Sequence, residues 1–251
     1  MVLFMKVISL LNTASALLHK AKGQPVAVMI VAGGQSARFG EDKLFFPLLG
    51  VPVLLRTLLA FNGVLSVSKI ILVTRPEVRE RVESLFSSYK IKKPIVFANG
   101  GETRQQSVQN GLSLIDKNCI VAVHDGARPL ITAEQIDAVI AKARAHHAAV
   151  LAVPVTDSIK KTADGFLVDT VAREGLYAMQ TPQVFDAALL KAAYQKAAKD
   201  GVNATDDCQL VERLGVKIPI VPGSGQNMKI TTRDDIPAAE AVLRGREDVS
   251  D

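Results

Sequence analysis

The loop that follows the first predicted strand contains the residues best suited to chemistry. It reads AGGQSARFGEDK over residues 32–43 and joins Gly33 and Gly34 to two cations, Arg38 and Lys43. Glycines allow a backbone to approach a phosphate closely, and exposed N–H groups can bind the phosphate oxygens. The loop therefore predicts a triphosphate site, and a tight turn without a ligand is the alternative. Neither the dinucleotide-binding glycine pattern nor the P-loop Lys-Ser/Thr pair is present, so those two chemistries are not supported.

A second candidate residue, Asp125, stands at the end of the apolar run CIVAVHD. A carboxylate at the end of a buried strand can bind Mg²⁺ or a substrate hydroxyl. The structural alternative is that Asp125 caps a turn and pairs with Arg128. We interpret the adjacent His124 as a hydrogen-bonded packing residue of the core.

Composition narrows the classes of protein to which these residues can belong. The chain has 251 residues, 48% of them apolar, and a formal net charge of +5, so a disordered chain is excluded. Tryptophan is absent and aromatic residues make up only 5%, which leaves few stacking platforms for nucleic acid. Beyond the N-terminal region no apolar run is long enough to cross a membrane. Cys119 and Cys208 lack zinc-site spacing and indicate a reducing, cytoplasmic compartment.

Short apolar strands alternate with segments of helical period from Pro25 onward. This alternation predicts a doubly wound, Rossmann-like α/β domain with a mostly parallel sheet covered by helices on both faces. In such a sheet, ligands bind beyond the carboxyl ends of the strands, where the 32–43 loop lies. The predicted strands of this region are VAVMIVA, KIILVT, PIVFA, CIVAVHD and AVLAVP.

Two regions depart from the alternating pattern. Residues 155–185 mix glycines and lysines with short alternating runs, and we predict an extended β-arm here rather than another strand–helix unit. Residues 1–24 have three lysines and no acidic residue. They form an N-terminal extension, either an amphipathic helix packed on the domain or a targeting peptide. Residues 25–251 are predicted to form a single domain that ends in a solvated tail.

Six further motifs follow the glycine loop in the order of one family. They read GGETRQQSVQNGL, VHDGARP, VPVTDSIKKT, AREGLYAMQTPQVF, ATDDCQLVE and QNMKIT. Over residues 26–245 the chain resembles the 2-C-methyl-D-erythritol 4-phosphate cytidylyltransferases of the non-mevalonate isoprenoid pathway. The resemblance implies transfer of a cytidylyl group from CTP to the polyol phosphate, with release of pyrophosphate. It also implies Mg²⁺ or another divalent cation, and a homodimer in which the arms are exchanged between subunits and complete the shared active sites.

The resemblance assigns roles by position within these motifs. The implied catalytic residues are Arg38, Lys43 and Lys229. The implied nucleotide-binding residues are Ala32, Gly33, Gly34, Gly101, Glu102 and Ser107, of which the last three are expected to read the cytosine base. The implied residues for the polyol phosphate are Asp125, Ser158, Arg173 and Thr181, and Asp125 is also the expected metal ligand. The alternatives are a surface lysine at Lys229, a simple helix N-cap at 101–107 and a solvated hairpin for the arm.

One departure from the family pattern concerns the glycine loop. The family carries two more residues between the loop arginine and lysine, with proline before the lysine, whereas R-F-G-E-D-K resembles the molybdenum-cofactor guanylyltransferases. This difference leaves open the placement of Lys43 and the choice of nucleotide. Two other functions remain as alternatives, a ribitol-5-phosphate cytidylyltransferase and a non-enzymatic nucleotide- or RNA-binding module. If residues 1–24 are a targeting peptide, the location is a plastid-type organelle rather than the cytoplasm.

Overall fold

The computed structural model describes residues 23–34, 39–86 and 88–247 of the chain. The strands in chain order are β1 (Val26–Ala32), β2 (Pro47–Leu48), β3 (Val51–Pro52), β4 (Val67–Thr74), β5 (Ile95–Asn99), β6 (Ile120–Asp125), β7 (Ala148–Pro154), β8 (Ile159–Ala163), β9 (Phe166–Val171), β10 (Tyr177–Asp186) and β11 (Ile220–Pro222). The helices are α1 (Val53–Asn62), α2 (Pro76–Leu85), α3 (Arg104–Leu112), α4 (Ala133–His146), α5 (Ala187–Asp200), α6 (Asp207–Glu212) and α7 (Asp235–Glu247).

A seven-stranded sheet in the order β11-β7-β10-β6-β1-β4-β5 forms the centre of the molecule. The pairs β1–β4, β1–β6, β4–β5 and β7–β11 are parallel, and β10 runs antiparallel to both of its neighbours. Two apolar clusters of helix and strand side chains cover the sheet. The prediction of a doubly wound, mostly parallel α/β fold is therefore confirmed.

The sequence accounts for the placement of α3 against this sheet. Thr103 and Gln106 form a capping box, so the helix begins at a fixed point directly after β5. Gly111 then lets the helix pack closely on β1 and β4, because a Cβ atom there would lie 2.7 Å from the Met29 sulfur. The close packing holds the N-terminus of α3 beside the carboxyl end of β1.

The β10 strand corrects the predicted extent of the arm. We predicted an arm over residues 155–185, but 177–185 belongs to β10, inside the main sheet. In this segment Gln180, Thr181 and Gln183 are buried, and each has a hydrogen-bonding partner. Gln183, for example, accepts hydrogen bonds from the backbone N–H groups of Asp207 and Cys208. Paired polar groups can be buried in a sheet without a large desolvation penalty.

The rest of the predicted arm is a two-stranded antiparallel hairpin of β8 and β9. Its side chains are almost all exposed, including Phe166 at 75% and Leu167 at 71% of their full accessible area. We call the segment 155–176 the arm from here on. Among the described residues, the arm is where three large apolar side chains in succession are exposed, those of Phe166, Leu167 and Val168.

The remaining domain predictions concern the two ends of the chain. Of the predicted N-terminal extension, residues 1–22 lie outside the described part of the chain. At the other end α7 continues to Glu247, so the helix takes up the start of the predicted tail. No helix among the described residues has both the length and the apolar character needed to cross a membrane.

Candidate functional site

A cavity of about 220 Å³ opens at the carboxyl ends of β1 and β6. Its walls come from the glycine loop, the turn around Lys43, the N-terminus of α3, the end of β6 and Lys229. The lining residues are Val31, Ala32, Gly33, Gly34, Lys43, Leu44, Gly101, Glu102, Thr103, Arg104, Ser107, Asp125, Gly126, Ala127 and Lys229. The cavity therefore lies where ligands bind in open α/β sheets.

The 101–107 segment packs tightly against its own helix. A Cβ atom at Gly101 would lie 2.4 Å from the Gln106 Cβ, so only glycine fits at this position. The Gly101 N–H donates to the Ser107 hydroxyl at 3.0 Å, and the Glu102 N–H donates to the Gln106 side chain at 2.9 Å. These bonds shape the cavity wall, and the predicted N-cap is confirmed beside it. That these residues also read cytosine stays a prediction.

Asp125 lies at the centre of a group of cations. Its Oδ2 atom is 2.9 Å from the Lys229 Nζ and 3.6 Å from the Arg128 Nε, and its Oδ1 atom is 3.6 Å from the Arg104 Nε. Burial by itself raises the pKa of Asp125, but the Lys229 ammonium and then the Arg104 guanidinium outweigh it and hold that pKa well below its ordinary value. Asp125 is therefore a carboxylate throughout the physiological pH range.

The backbone of Asp125 is fixed by a chain of hydrogen bonds through the core. The Asp125 N–H donates to the Thr181 hydroxyl at 3.1 Å, and that hydroxyl lies 3.0 Å from the His124 Nδ1. The His124 Nε2 lies 3.0 Å from the Arg128 carbonyl oxygen. Because a carbonyl only accepts, Nε2 carries the proton and Nδ1 accepts from Thr181. Both ring nitrogens of a neutral imidazole are thus satisfied.

The state of His124 agrees with this hydrogen bonding. Its side chain is fully buried, and its ring packs edge-on against Phe61 with the ring centroids 4.8 Å apart. Burial, opposed by weaker stabilising contacts, lowers the pKa of His124 from 6.5 to about 4. The interpretation of His124 as a packing residue is confirmed, and the imidazole is neutral at pH 7.

Arg104 connects the cavity to a buried carboxylate that the sequence analysis did not single out. Besides approaching Asp125, the Arg104 guanidinium donates to the Asp207 Oδ2 at 2.8 Å. Asp207 is fully buried and also accepts a hydrogen bond from the Tyr194 hydroxyl. The motif ATDDCQLVE offered a signal, because two adjacent carboxylates stand at the start of a helix that contains apolar residues. Asp206 caps that helix, which leaves Asp207 to turn inward.

Lys229 reaches the cavity from a segment that is tied to the end of β6. The Ile230 N–H donates to the Ala127 carbonyl at 2.8 Å, and Arg128 donates to the Asn227 carbonyl at 2.8 Å. Asn227 is fully buried and donates to the Thr181 carbonyl at 3.0 Å. These bonds to the residues on either side of Lys229 fix its backbone. The Lys229 side chain keeps 40% of its accessible area.

The structure gathers most of the predicted site residues around one cavity. Nine of them line it: Ala32, Gly33, Gly34, Lys43, Gly101, Glu102, Ser107, Asp125 and Lys229. Arg38 belongs to residues 35–38, outside the described part of the chain. Asp125 lines the cavity and also pairs with Arg128, as its structural alternative expected. That it binds Mg²⁺ or a substrate hydroxyl stays a prediction.

The predicted residues for the polyol phosphate are divided differently. Ser158 and Arg173 are exposed on the arm and do not line the cavity of their own chain. Arg173 instead donates to the Thr156 carbonyl, within the arm. Thr181 is buried behind Asp125, and its hydroxyl proton is directed at His124. A phosphate contact by Thr181 requires this hydroxyl to change partner, and it stays a prediction.

Comparison with known proteins identifies the family. The family profile described as IspD: 2-C-methyl-D-erythritol 4-phosphate cytidylyltransferase matches residues 26–245. The chain belongs to this family. Among its members, the 2-C-methyl-D-erythritol 4-phosphate cytidylyltransferase of Caldanaerobacter subterraneus subsp. tengcongensis is 44% identical over 224 residues, which cover 87% of this chain and 99% of that protein. The protein of that name from Bacillus velezensis is 44% identical over 220 residues, covering 86% of this chain and 95% of the relative.

Solved structures of cytidylyltransferases of this family share the fold. The 4-diphosphocytidyl-2C-methyl-D-erythritol synthase of Anaerococcus prevotii is similar with a TM-score of 0.77 at 31% identity, over 88% of this chain and 96% of that one. The expectation of a cytidylyltransferase is therefore confirmed at the level of the family. A non-enzymatic binding module on the same scaffold is not supported.

Proposed function

We propose that the protein transfers the cytidylyl group of CTP to 2-C-methyl-D-erythritol 4-phosphate. A phosphate oxygen of the acceptor forms a bond to the α-phosphorus of CTP, the bond from that phosphorus to the bridging oxygen breaks, and pyrophosphate leaves. The family supports this assignment. The observation that carries it in the structure is the approach of Lys43, Arg104 and Lys229 to one cavity beside a glycine loop.

The chemistry of the acceptor explains why this cavity needs no general base. A phosphate monoester is already anionic at neutral pH, so its oxygen can attack without losing a proton. His124 is also unsuited to that role, because it is buried with both ring nitrogens hydrogen-bonded. The reaction instead requires in-line placement of two anions and neutralisation of the charge on the α-phosphorus and the leaving pyrophosphate.

Lys43 and Lys229 are the proposed sources of that neutralisation. Both line the cavity, and an ammonium group has three donors. Lys229 can therefore keep its 2.9 Å contact with Asp125 while it donates to a phosphate oxygen. In this proposal, Asp125 holds Lys229 in place and accepts hydrogen bonds from the hydroxyl groups of methylerythritol phosphate. Arg104, held in place by its hydrogen bond to Asp207, adds a third positive charge.

We propose that a divalent cation binds in the cavity together with the triphosphate, whose oxygens would supply most of its ligands. Among the described residues, no group of three His, Cys, Asp or Glu side chains is placed to bind a metal ion. Asp125 is thus the single carboxylate proposed as a ligand, and Mg²⁺ commonly binds through one or two carboxylates and substrate phosphates. When bound, the cation would neutralise charge on the triphosphate. The cations around Asp125 oppose tighter binding by the protein alone.

We further propose that the protein is a homodimer joined through the arm. A two-stranded hairpin is marginally stable by itself, and this one exposes Phe166, Leu167 and Val168 in succession along β9, on alternate faces. A second copy is the proposed cover for this surface. Ser158 and Arg173 lie on the same arm, away from their own cavity, so a partner's cavity is the proposed place for them. The hydroxyl and the planar guanidinium both suit recognition of a phosphate.

The proposed location is a reducing compartment, the cytoplasm. Cys119 and Cys208 are both buried and neither forms a disulfide, which is typical of proteins kept under reducing conditions. The named relatives described above come from bacteria. A plastid-type location depended on residues 1–24, and we do not propose it.

Turnover with defined substrates tests the function. Pyrophosphate release is measured with CTP and Mg²⁺ and either methylerythritol phosphate or ribitol 5-phosphate as acceptor, and then with GTP in place of CTP. We expect turnover with CTP and methylerythritol phosphate, and little with the other pairs. Preference for ribitol 5-phosphate would assign the sister activity. Turnover with GTP but not CTP would overturn the proposed nucleotide.

A further inference from the structure

Two arginines hold the turn that carries Lys43, although neither lines the cavity. We define the Lys43 turn as residues 39–46, which overlap the end of the glycine loop at residues 39–43. Arg81 reaches it from α2, and Arg233 reaches it from the segment that precedes α7. Each arginine pairs with a different one of the two carboxylates that directly precede Lys43.

Arg81 binds the turn through Asp42 and Phe45. Its NH1 atom lies 3.2 Å from the Asp42 Oδ2, and its guanidinium carbon lies 3.5 Å from the centroid of the Phe45 ring. The other carboxylate oxygen of Asp42 accepts a hydrogen bond from the Leu44 N–H at 3.3 Å. Arg81 is therefore linked through Asp42 to the backbone on both sides of Lys43.

Arg233 binds the turn through Glu41 and two aromatic rings. Its NH2 atom lies 2.5 Å from the Glu41 Oε1, and its guanidinium carbon lies 5.9 Å from the ring centroids of both Phe39 and Phe46. The two rings pack edge to face at 5.3 Å, and Phe39 is buried. A single guanidinium thus joins the two ends of the turn.

The backbone of the turn continues into the start of α1. Pro52 provides no side-chain cap for this helix. The Leu54 N–H donates to the Leu44 carbonyl at 2.9 Å, and the Val53 N–H donates to the Phe46 carbonyl at 3.0 Å. These bonds anchor the turn after Lys43, whereas the two arginines anchor the carboxylates before it.

We infer that Arg81 and Arg233 are positioning residues that direct Lys43 toward the triphosphate of CTP. Lysine is a point charge on a flexible four-carbon chain, so the direction of its backbone decides where the ammonium can reach. The arginines also neutralise Glu41 and Asp42, which would otherwise place two negative charges next to the bound phosphates. This inference rests on the proposed role of Lys43.

Because these contacts are exposed, an effect of the two arginines on catalysis can be distinguished from an effect on the stability of the fold. The side chains of Arg81 and Arg233 keep 53% and 63% of their accessible area. Exposed ion pairs of this kind contribute little to the stability of a folded protein. Loss of either arginine should therefore change the kinetics with CTP while the melting temperature stays nearly constant.

The variants Arg81→Gln, Arg233→Gln and their combination test this inference, with Arg79→Gln as the matched control. Arg79 lies on the same helix as Arg81, pairs with Glu83 at 3.0 Å and lies 4.7 Å from the centroid of the Phe97 ring. We expect the combined variant to lose roughly ten- to a hundredfold in kcat/KM for CTP. The KM for the acceptor should stay within about twofold of the wild-type value. Hydrogen exchange should increase over the Lys43 turn and not elsewhere, while Arg79→Gln behaves like the wild type.

A second cycle separates failure of this inference from failure of the proposed function. In a Lys43→Ala background, the arginine substitutions should change kcat/KM by less than about twofold, because the group that they direct is gone. If Lys43→Ala itself retains full turnover, the proposed role of Lys43 fails, whatever the arginines do. If Lys43→Ala is impaired but the arginine variants match Arg79→Gln, the positioning inference is overturned. A large loss of melting temperature in the arginine variants would also overturn it.

Discussion

The buried imidazole of His124 makes the stability of the protein depend on pH in a defined window. The pKa of this residue falls from 6.5 in the unfolded chain to about 4 in the folded protein, chiefly because of burial. Between these values the unfolded chain binds more protons, so the free energy of unfolding decreases as the pH falls. The difference in pKa corresponds to about 3 kcal/mol, present above pH 6.5 and lost by pH 4.

The variant His124→Gln isolates this contribution. Its amide can still donate to the Arg128 carbonyl, but the variant lacks the ring that packs against Phe61, so it should be less stable than the wild type at pH 7.5. Because glutamine has no proton to gain, the variant should lose less stability than the wild type on acidification. Urea unfolding followed by circular dichroism between pH 7.5 and pH 4 gives both free energies. Carboxyl groups away from His124 titrate alike in both proteins and cancel in the difference. His146→Gln, at the exposed end of α4, is the control for loss of a histidine.

The result that refutes this reasoning is a constant difference between wild type and His124→Gln. If the two unfolding free energies stay parallel from pH 7.5 to pH 4, the imidazole has the same pKa in the folded and unfolded states. The hydrogen-bonded chain from Asp125 through Thr181 to His124 would then not require a neutral ring.

Three further outcomes are expected. Lys229→Ala should lower kcat by roughly 10²–10³-fold with little change in melting temperature, as measured against the exposed control Lys217→Ala; near-normal kcat would make Lys229 a surface lysine. Mixing inactive Arg173→Ala and Lys43→Ala proteins should restore about a quarter of the wild-type turnover, because half of the dimers then have one intact site; no recovery despite subunit exchange would contradict shared sites. Asp207→Asn should cost roughly 3 kcal/mol in urea unfolding, because Arg104 loses its buried partner, and an unchanged midpoint would show that this pair is not stabilising.

The strand–helix alternation of the sequence predicts most of the fold, because buried parallel strands are apolar without interruption. β1 was predicted with its observed limits, Val26–Ala32. β10 was not recognised as a sheet strand, because the glycines and lysines before it led us to extend the arm through residue 185. It also contains Gln180, Thr181 and Gln183 around Pro182. Proline and polar side chains normally argue against a central strand. Here each polar group finds a partner only after the distant segments have packed.

The candidate site also contains residues that the local sequence predicts and residues that it does not. The glycine loop and Asp125 were recognisable from local pattern, since glycines and strand-end carboxylates have local reasons to be there. The contact between Asp125 and Lys229 joins positions about a hundred residues apart, and only the resemblance to a family brought them together. The Arg104–Asp207 pair had no such guide. Nothing in the spacing of two charged residues shows that folding will bury them face to face.

The place of β10 in the sheet has a consequence for how the chain is made. β6 and β7 are separated by β10, so the halves of the sheet cannot join until residue 186 has been synthesised. The arm lies between β7 and β10 in the chain, and it emerges from the ribosome before the core can close. Non-local pairing of this kind is slow to form and leaves strand edges open in the meantime. The exposed apolar side chains of the arm are therefore present together with the open edges of β6 and β7 until β10 closes the sheet between them.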